Sequence, residues 1–267
     1  MSLFHLAILA IVQGITEFLP VSSSGHLILL PKLLGTADQG LALDVAVHVG
    51  TLGAVMLFFR SDVVRMWRGA GDILRGHVNT PDARLTLLLA LATIPVVIAG
   101  FILKATGLAE ALRSVAVIGW TMLGFGLFLY WADQTGPTEK VAGDWNLRDA
   151  IIMGLWQAVA LIPGTSRSGI TITASRILGY TREDGARIAM LMSIPTILAS
   201  GGLLALDVIG QADWQTARDA AIGAALAFVA AYLALAIMMR LLRSVSFTPY
   251  VIYRVILGLV LLVIAYT

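Results

Sequence analysis

Gln13-Gly14-Ile15-Thr16-Glu17-Phe18-Leu19-Pro20-Val21-Ser22-Ser23-Ser24-Gly25-His26 interrupts apolar sequence that begins near residue 3 and resumes as far as residue 34. Proline lacks the N–H and clashes with the turn before it, so a helix stops at Pro20. Each half is then too short to cross ~30 Å of hydrocarbon at a rise of ~1.5 Å per residue. The stretch therefore predicts a re-entrant helical hairpin. Its irregular tip is tolerated at membrane depth only where protein or a watery cavity covers it. A second stretch over 151–178 has the same build. It reaches Ile162-Pro163 and then Gly164-Thr165-Ser166-Arg167-Ser168-Gly169-Ile170-Thr171. Aligning Pro20 with Pro163 sets Ser23 against Ser166 and Ser24 against Arg167. Gln13 and Gln157 precede those prolines by seven and six residues, so that register needs one gap.

Six further segments are long and apolar enough to span: 41–59, 85–103, 115–131, 188–206, 220–239 and 250–266. Three follow each hairpin. An odd number of crossings per unit inverts the second unit against the first. The expectation is an all-α integral membrane protein of six transmembrane helices and two re-entrant hairpins. It forms one membrane domain over 1–267, with repeat 1 at about 1–133 and repeat 2 at about 148–267. Broken helices meeting at a repeat interface are where such folds place their sites.

Composition agrees. Of 267 residues, 58% are hydrophobic and 13% charged, about half the charge fraction of a soluble domain. The surplus apolar surface must face lipid. Membrane barrels alternate apolar and polar residues, whereas these runs are continuous. The absence of cysteine rules out disulfides and thiolate metal sites. The N-terminus has no basic n-region and Glu17 interrupts its apolar run, so no cleaved signal is expected.

Basic residues set the orientation. The face bearing the 60–84 loop collects twelve of them, among them Arg60, Arg65, Arg68, Arg75 and Arg84, against Lys32, Lys104, Arg113 and Arg218 on the other. The 60–84 face is therefore cytoplasmic and both termini lie outside. The loop arginines are read as setting topology, with no nucleic-acid partner. Arg254, near the cytoplasmic end of the last span, is expected to snorkel.

Glu17, His26 and Arg167 are ionisable groups in apolar surroundings, costly unless paired and functional by default. Gln13 and Glu17, four apart, share a helix face. Ser22, Ser23 and Ser24 stand where the next helix begins, and serine hydroxyls with free N–H groups at a helix start suit an anion. The second tip offers Gly164, Thr165, Ser166, Ser168 and Thr171. It adds Arg167, whose planar fork fits phosphate oxygens. A carboxylate beside a phosphate site needs a reason, and a divalent cation held by Glu17 with Gln13 supplies one. Mg²⁺ takes one or two carboxylates plus substrate phosphates. Singly, each residue has a structural reading. The glutamate could bond a serine or arginine, the histidine a helix start, and Arg167 could be only the counter-ion of Glu17. Their joint occurrence on two matching hairpins favours a site. His48, in Val47-His48-Val49-Gly50, either lines the cavity or makes a structural hydrogen bond.

The 13–26 stretch resembles the first signature of the undecaprenyl pyrophosphate phosphatase, or bacitracin-resistance, family, and 163–171 is similar to the second. The likeness runs through the span order to Tyr253-Arg254. The family's first motif is Glu or Gln, three residues, then Glu; Gln13 and Glu17 fill it. The resemblance implies removal of the terminal phosphate from a C55 isoprenyl pyrophosphate, giving the lipid carrier of cell-wall synthesis. It implies a multi-pass protein of the bacterial inner membrane with its site facing the periplasm. Glu17, Ser23, His26 and Arg167 match the active-site positions.

The expected chemistry is metal-assisted phosphoryl transfer, with Mg²⁺ or Ca²⁺ as cofactor and a polyprenyl pyrophosphate in the membrane as partner. A homodimer is left open. Arg167 and Ser166 hold the pyrophosphate and Glu17 holds the cation. Ser23, His26 or a water that one of them activates attacks phosphorus. The alternative is a transporter or flippase for a polyprenyl phosphate, which needs an anion site but neither nucleophile nor metal.

Overall fold

A computed structural model of the chain describes residues 3–34, 40–208 and 214–267. Twelve α-helices account for nearly all of them: α1 (Leu3–Phe18), α2 (Ser23–Leu34), α3 (Leu41–Phe58), α4 (Arg60–Leu74), α5 (Pro81–Thr106), α6 (Leu108–Ala111), α7 (Val115–Thr135), α8 (Leu147–Val159), α9 (Arg167–Ile177), α10 (Arg182–Val208), α11 (Trp214–Leu241) and α12 (Thr248–Tyr266). No strand occurs among the described residues. Only an isolated bridge joins Lys140 to Tyr180.

Five helices, α3, α5, α7, α11 and α12, are long and apolar enough to cross a bilayer. Each contains one of the expected segments to within one residue at either end. The sixth expected segment, 188–206, falls inside α10. The side chain of Lys32, one of the four outer basic residues, lies outside the described residues. Pro95 and Pro195 sit within α5 and α10, which continue through them. The 60–84 segment, expected as a loop, carries α4. This polar helix buries Asp62 and Gly69 and leaves Trp67 and Leu74 exposed. The four helices of the two hairpins are short: α1, α2, α8 and α9 have 16, 12, 13 and 11 residues. At a rise of ~1.5 Å per residue, the longest covers about 24 Å.

The tightest packing joins α3 to α11, α1 to α11, α7 to α12 and α8 to α5. Small residues make these seams possible. A Cβ on Gly50 of α3 would run into the Ala224 carbonyl of α11, and one on Gly14 of α1 into the backbone of α11 at Ala227. On α8, Gly154 lies as close to Ala92 of α5.

Charged clusters tie together the ends that carry the basic loops. Asp133 at the end of α7 accepts from Arg182 (2.7 Å), Arg176 (3.3 Å) and the Phe247 N–H (3.1 Å). Asp62 of α4 accepts from Arg187 of α10 at 2.7 Å. At the opposite ends of α7 and α12, the Trp120 indole donates to the Tyr266 hydroxyl. The segments whose basic residues were counted together thus lie together.

Arg254 corrects a sequence expectation. It is fully buried and does not snorkel. Its five N–H donors meet five backbone carbonyls. Nε reaches Met122, Nη1 reaches Pro20 and Thr165, and Nη2 reaches Thr121 and Gly164, at 2.9–3.4 Å. These carbonyls belong to α7 and to both hairpin tips. The guanidinium is the pin that fixes one tip against the other.

Candidate active site

Both tips are shaped by a serine in an unusual backbone conformation. Ser22 (φ 74°) and Ser166 (φ 71°) are the two non-glycine residues with positive φ among those described. That region is disfavoured by the side chain, and such strain concentrates at functional sites. Each serine caps the helix that follows. Ser22 Oγ accepts from the Gly25 N–H (3.4 Å), and Ser166 Oγ from the Gly169 N–H (3.1 Å). Each also shares a hydrogen bond with the serine two residues on, Ser24 (3.3 Å) and Ser168 (3.1 Å).

These equivalences correct the register. The structure matches Ser22 with Ser166, not Ser23 with Ser166. It follows that Ser23 corresponds to Arg167, and Gln13 to Gln157 without a gap. The prolines mislead because each ends its helix at a slightly different place. Only the capping serine must hold a fixed position.

The two equivalent residues, Ser23 and Arg167, meet at Glu17. The Glu17 carboxylate is buried at the end of α1. Its Oε2 accepts from Gln13 Nε2 (2.9 Å) and Ser23 Oγ (2.9 Å), and its Oε1 from Arg167 Nη2 (2.6 Å). Ser168 Oγ donates to the Leu19 carbonyl (2.9 Å), adding a second bond between the hairpins. Two buried atoms beside Glu17 have no partner among the described residues: Gln13 Oε1, an acceptor, and Arg167 Nη1, a donor. A buried polar atom without a partner is costly. A cation would satisfy the first and an anion the second.

In hairpin 1, formed by α1 and α2, His26 is bonded to groups other than Glu17. Its Nδ1 is 2.6 Å from the Ser22 carbonyl and its Nε2 is 2.5 Å from the Tyr253 hydroxyl, so both ring nitrogens are engaged. The ring also stacks on Tyr253. His48 of α3 is the histidine beside the carboxylate. Its Nδ1 lies 2.7 Å from the Asp44 carbonyl, which leaves Nε2 facing Glu17 Oε2 at 3.8 Å. The sequence left His48 undecided. Only the packing of α3 shows which of its nitrogens is free.

The remaining residues form the surround. Gly164 (φ 87°) lies against Thr121, where a side chain would not fit. Thr165 is buried, and its hydroxyl has no partner among the described residues. Thr171, one turn into α9, bonds the Arg167 and Ser168 carbonyls. Beside Leu19, a groove of about 530 Å³ runs between α1, α11 and the start of α12. It is lined by Ile11, Ile15, Leu226, Leu233, Ile237 and Tyr250, among others, and is almost wholly apolar.

Residues 6–260 match the bacitracin resistance protein BacA family. The chain is 67% identical to an undecaprenyl-diphosphatase of Dinoroseobacter shibae and 69% identical to one of a Jannaschia species, with all of each chain covered. An undecaprenyl-diphosphatase of Chromohalobacter salexigens is 47% identical, covering 98% of this chain and 99% of its own.

Proposed function

The chain belongs to the bacitracin resistance family, and from that premise we infer that it removes the terminal phosphate of undecaprenyl diphosphate, leaving the lipid monophosphate. The flippase alternative is not supported, since each relative named is a diphosphatase over its full length. The observation that carries the mechanism is the junction at Glu17. There a serine hydroxyl, a guanidinium and a carboxamide converge on one carboxylate.

Ser23 Oγ attacks the terminal phosphorus. Its proton passes to the carboxylate it already faces, an arrangement that activates a weak nucleophile. The bond from phosphorus to the bridging oxygen breaks and the lipid monophosphate leaves. Water then hydrolyses the serine ester and releases phosphate. Arg167 donates to the terminal phosphate through its unpartnered nitrogen, where preorganised donors act on developing charge. Arg254, with no carboxylate partner among the described residues, adds positive charge behind the tips and holds them in register. His48 Nε2 is placed to exchange a proton with Glu17. His26, through Tyr253, fixes hairpin 1 and remains the alternative nucleophile.

Gln13 Oε1 and Glu17 suit Mg²⁺ or Ca²⁺, both of which take oxygen ligands. When bound there, the cation would withdraw charge from the transferring phosphoryl group. The apolar groove beside Leu19 takes the isoprenyl chain, so the substrate need not leave the bilayer.

The layout we propose is two inverted repeats, each a re-entrant hairpin followed by three spans, in one membrane domain. The helix pairs support it. α1 on α11 is equivalent to α8 on α5, while α3 with α10 and α7 with α12 are their own equivalents. The site faces the periplasm of the inner membrane, with the 60–84 face cytoplasmic.

The test uses substrate labelled in its terminal phosphate. The purified protein should release label, and acid quenching should trap an acid-stable phosphoserine that Ser23→Ala lacks. An acid-labile adduct would move the attack to His26, and turnover with no adduct would give it to water. Exhaustive chelation should stop turnover and Mg²⁺ or Ca²⁺ restore it. Full activity after chelation would remove the cation from the mechanism.

A further inference from the structure

A second cavity lies at the face of the basic loops and uses none of the residues of the hairpin site. It occupies about 450 Å³ between the starts of α4, α5 and α10 and the turn at 142–145. Leu85, Leu88, Ile188 and Leu191 line one part of it, and Arg65, Arg84 and Arg187 another. We propose that this cavity binds the phosphate headgroup of an anionic membrane lipid.

The charge arrangement is the first reason. Arg187 is held in place by Asp62, with Nη2 at 2.7 Å from Oδ1 and Nε at 3.1 Å from Oδ2. Arg65 is held by Asp82 at 2.9 Å, with a longer contact of 3.5 Å to Asp62. The carboxylates fix both guanidiniums yet leave Arg187 Nη1 and Arg65 Nη2 without a protein acceptor among the described residues. Arg84 is exposed and has no ion pair among them. Three guanidiniums thus line a cavity that one carboxylate, Asp62, also lines. Planar guanidiniums held in position suit phosphate oxygens.

A buried donor without an acceptor is the second. Trp145 lines the same cavity and is 4% exposed, yet its indole N–H has no acceptor among the described residues. Native proteins rarely leave such a group unsatisfied.

Position decides between a lipid and a soluble phosphate. Helix α4 forms one wall and exposes Trp67 (72%) and Leu74 (89%) on a helix that also carries Arg60 and Arg68, with Arg75 directly after it. Apolar residues beside basic ones on a short amphipathic helix mark a segment lying in the membrane interface. The cavity mouth then opens at headgroup depth. Its leucines and Ile188 suit the first carbons of an acyl chain, which free phosphate would leave in contact with water.

The experiment titrates the purified full chain with dioleoylphosphatidylglycerol or dioleoylphosphatidylcholine, counting bound lipid by native mass spectrometry and following the melting temperature. The glycerol lipid should bind one site at least tenfold more tightly than the choline lipid. Arg84→Gln removes a cation that has no ion pair among the described residues and should weaken that binding about fivefold, the worth of one basic residue near an anionic surface. Gly143→Glu brings a negative charge into the cavity, and its Cβ meets no atom within 4 Å. It should abolish the preference. Both variants should keep wild-type phosphate release and lipid-free melting temperature. Equal affinity for the two lipids, or an undiminished preference in both variants, would overturn the site. Millimolar inorganic phosphate raising the melting temperature as much as the glycerol lipid would overturn the lipid assignment.

Discussion

Arg167 reaches Glu17 with one guanidinium nitrogen and keeps another buried without an acceptor. A residue that only neutralised the carboxylate would not need the second nitrogen, and lysine would replace it well. One that also holds a phosphate oxygen needs two donors in a fixed plane, which lysine cannot supply. Arg167→Lys should therefore lose about 10²–10³ of kcat, the usual effect of removing one preorganised donor, while the melting temperature hardly moves. Near-wild-type turnover in that variant would reduce Arg167 to a counter-ion. Glu17 and Arg167 were legible in the sequence because an ionised group in an apolar run needs an explanation. Arg254 met the same criterion and was misread, since its place near a span end offered a cheap escape to the interface. Its real partners are carbonyls at 20, 121–122 and 164–165. Main-chain oxygens carry no signature in a sequence. His48 was undecided for a related reason: the pattern places it on a helix but not which way that helix faces.

Helices of normal length were legible from apolar runs, and their ends shift by at most six residues in the structure. Two features of the short elements were not. Helix α4 is too polar to register as an apolar run, and it folds against α5 through Gly69 and the Arg65–Asp82 pair. The register of the two hairpins was drawn from prolines, whereas the physical constraint lies in the capping serines at positive φ. Close helix seams now matter more than motif spacing. His48 is presented to Glu17 only because α3 lies against α11, and that approach depends on Gly50. A single methyl there would meet the Ala224 carbonyl, which is backbone and cannot turn aside. Gly50→Ala should therefore cost about 1–3 kcal/mol of stability, typical of overpacking, and lower turnover by shifting His48 from the carboxylate. Gly71, where an added Cβ meets nothing within 4 Å, is the control: Gly71→Ala should keep wild-type turnover and melt no lower than wild type, since alanine inside a helix is favoured over glycine by about 0.5–1 kcal/mol. Equal melting temperatures for the two variants would mean that α3 and α11 part without cost and that the seam does not position the site.

At the scale of the whole molecule, the open question is which side of the membrane the substrate phosphate meets. The loops at 60–84 and 133–149 and the ends of α9 and α11 carry most of the basic residues, and clusters such as Asp133 with Arg176 and Arg182 bring them to one face. Those carboxylates offset much of the charge locally. Orientation follows lysine and arginine counts rather than net charge, so the pairing does not weaken the bias. The bias predicts a cytoplasmic 60–84 face. Helix α12, which starts beside Asp133 and ends with Tyr266 on Trp120, carries the C-terminus to the opposite side. The chain has no cysteine of its own, so Asn79→Cys and Thr267→Cys each introduce a single reporter. Asn79 lies in the turn before α5 and Thr267 directly follows α12. An impermeant thiol reagent on intact cells should label Thr267→Cys and leave Asn79→Cys untouched until the membrane is opened. The reverse pattern would invert the molecule, turn the hairpin site towards the cytoplasm and place the arginine-lined cavity outside. Labelling of both positions in intact cells would break the odd number of crossings on which the inverted repeat depends.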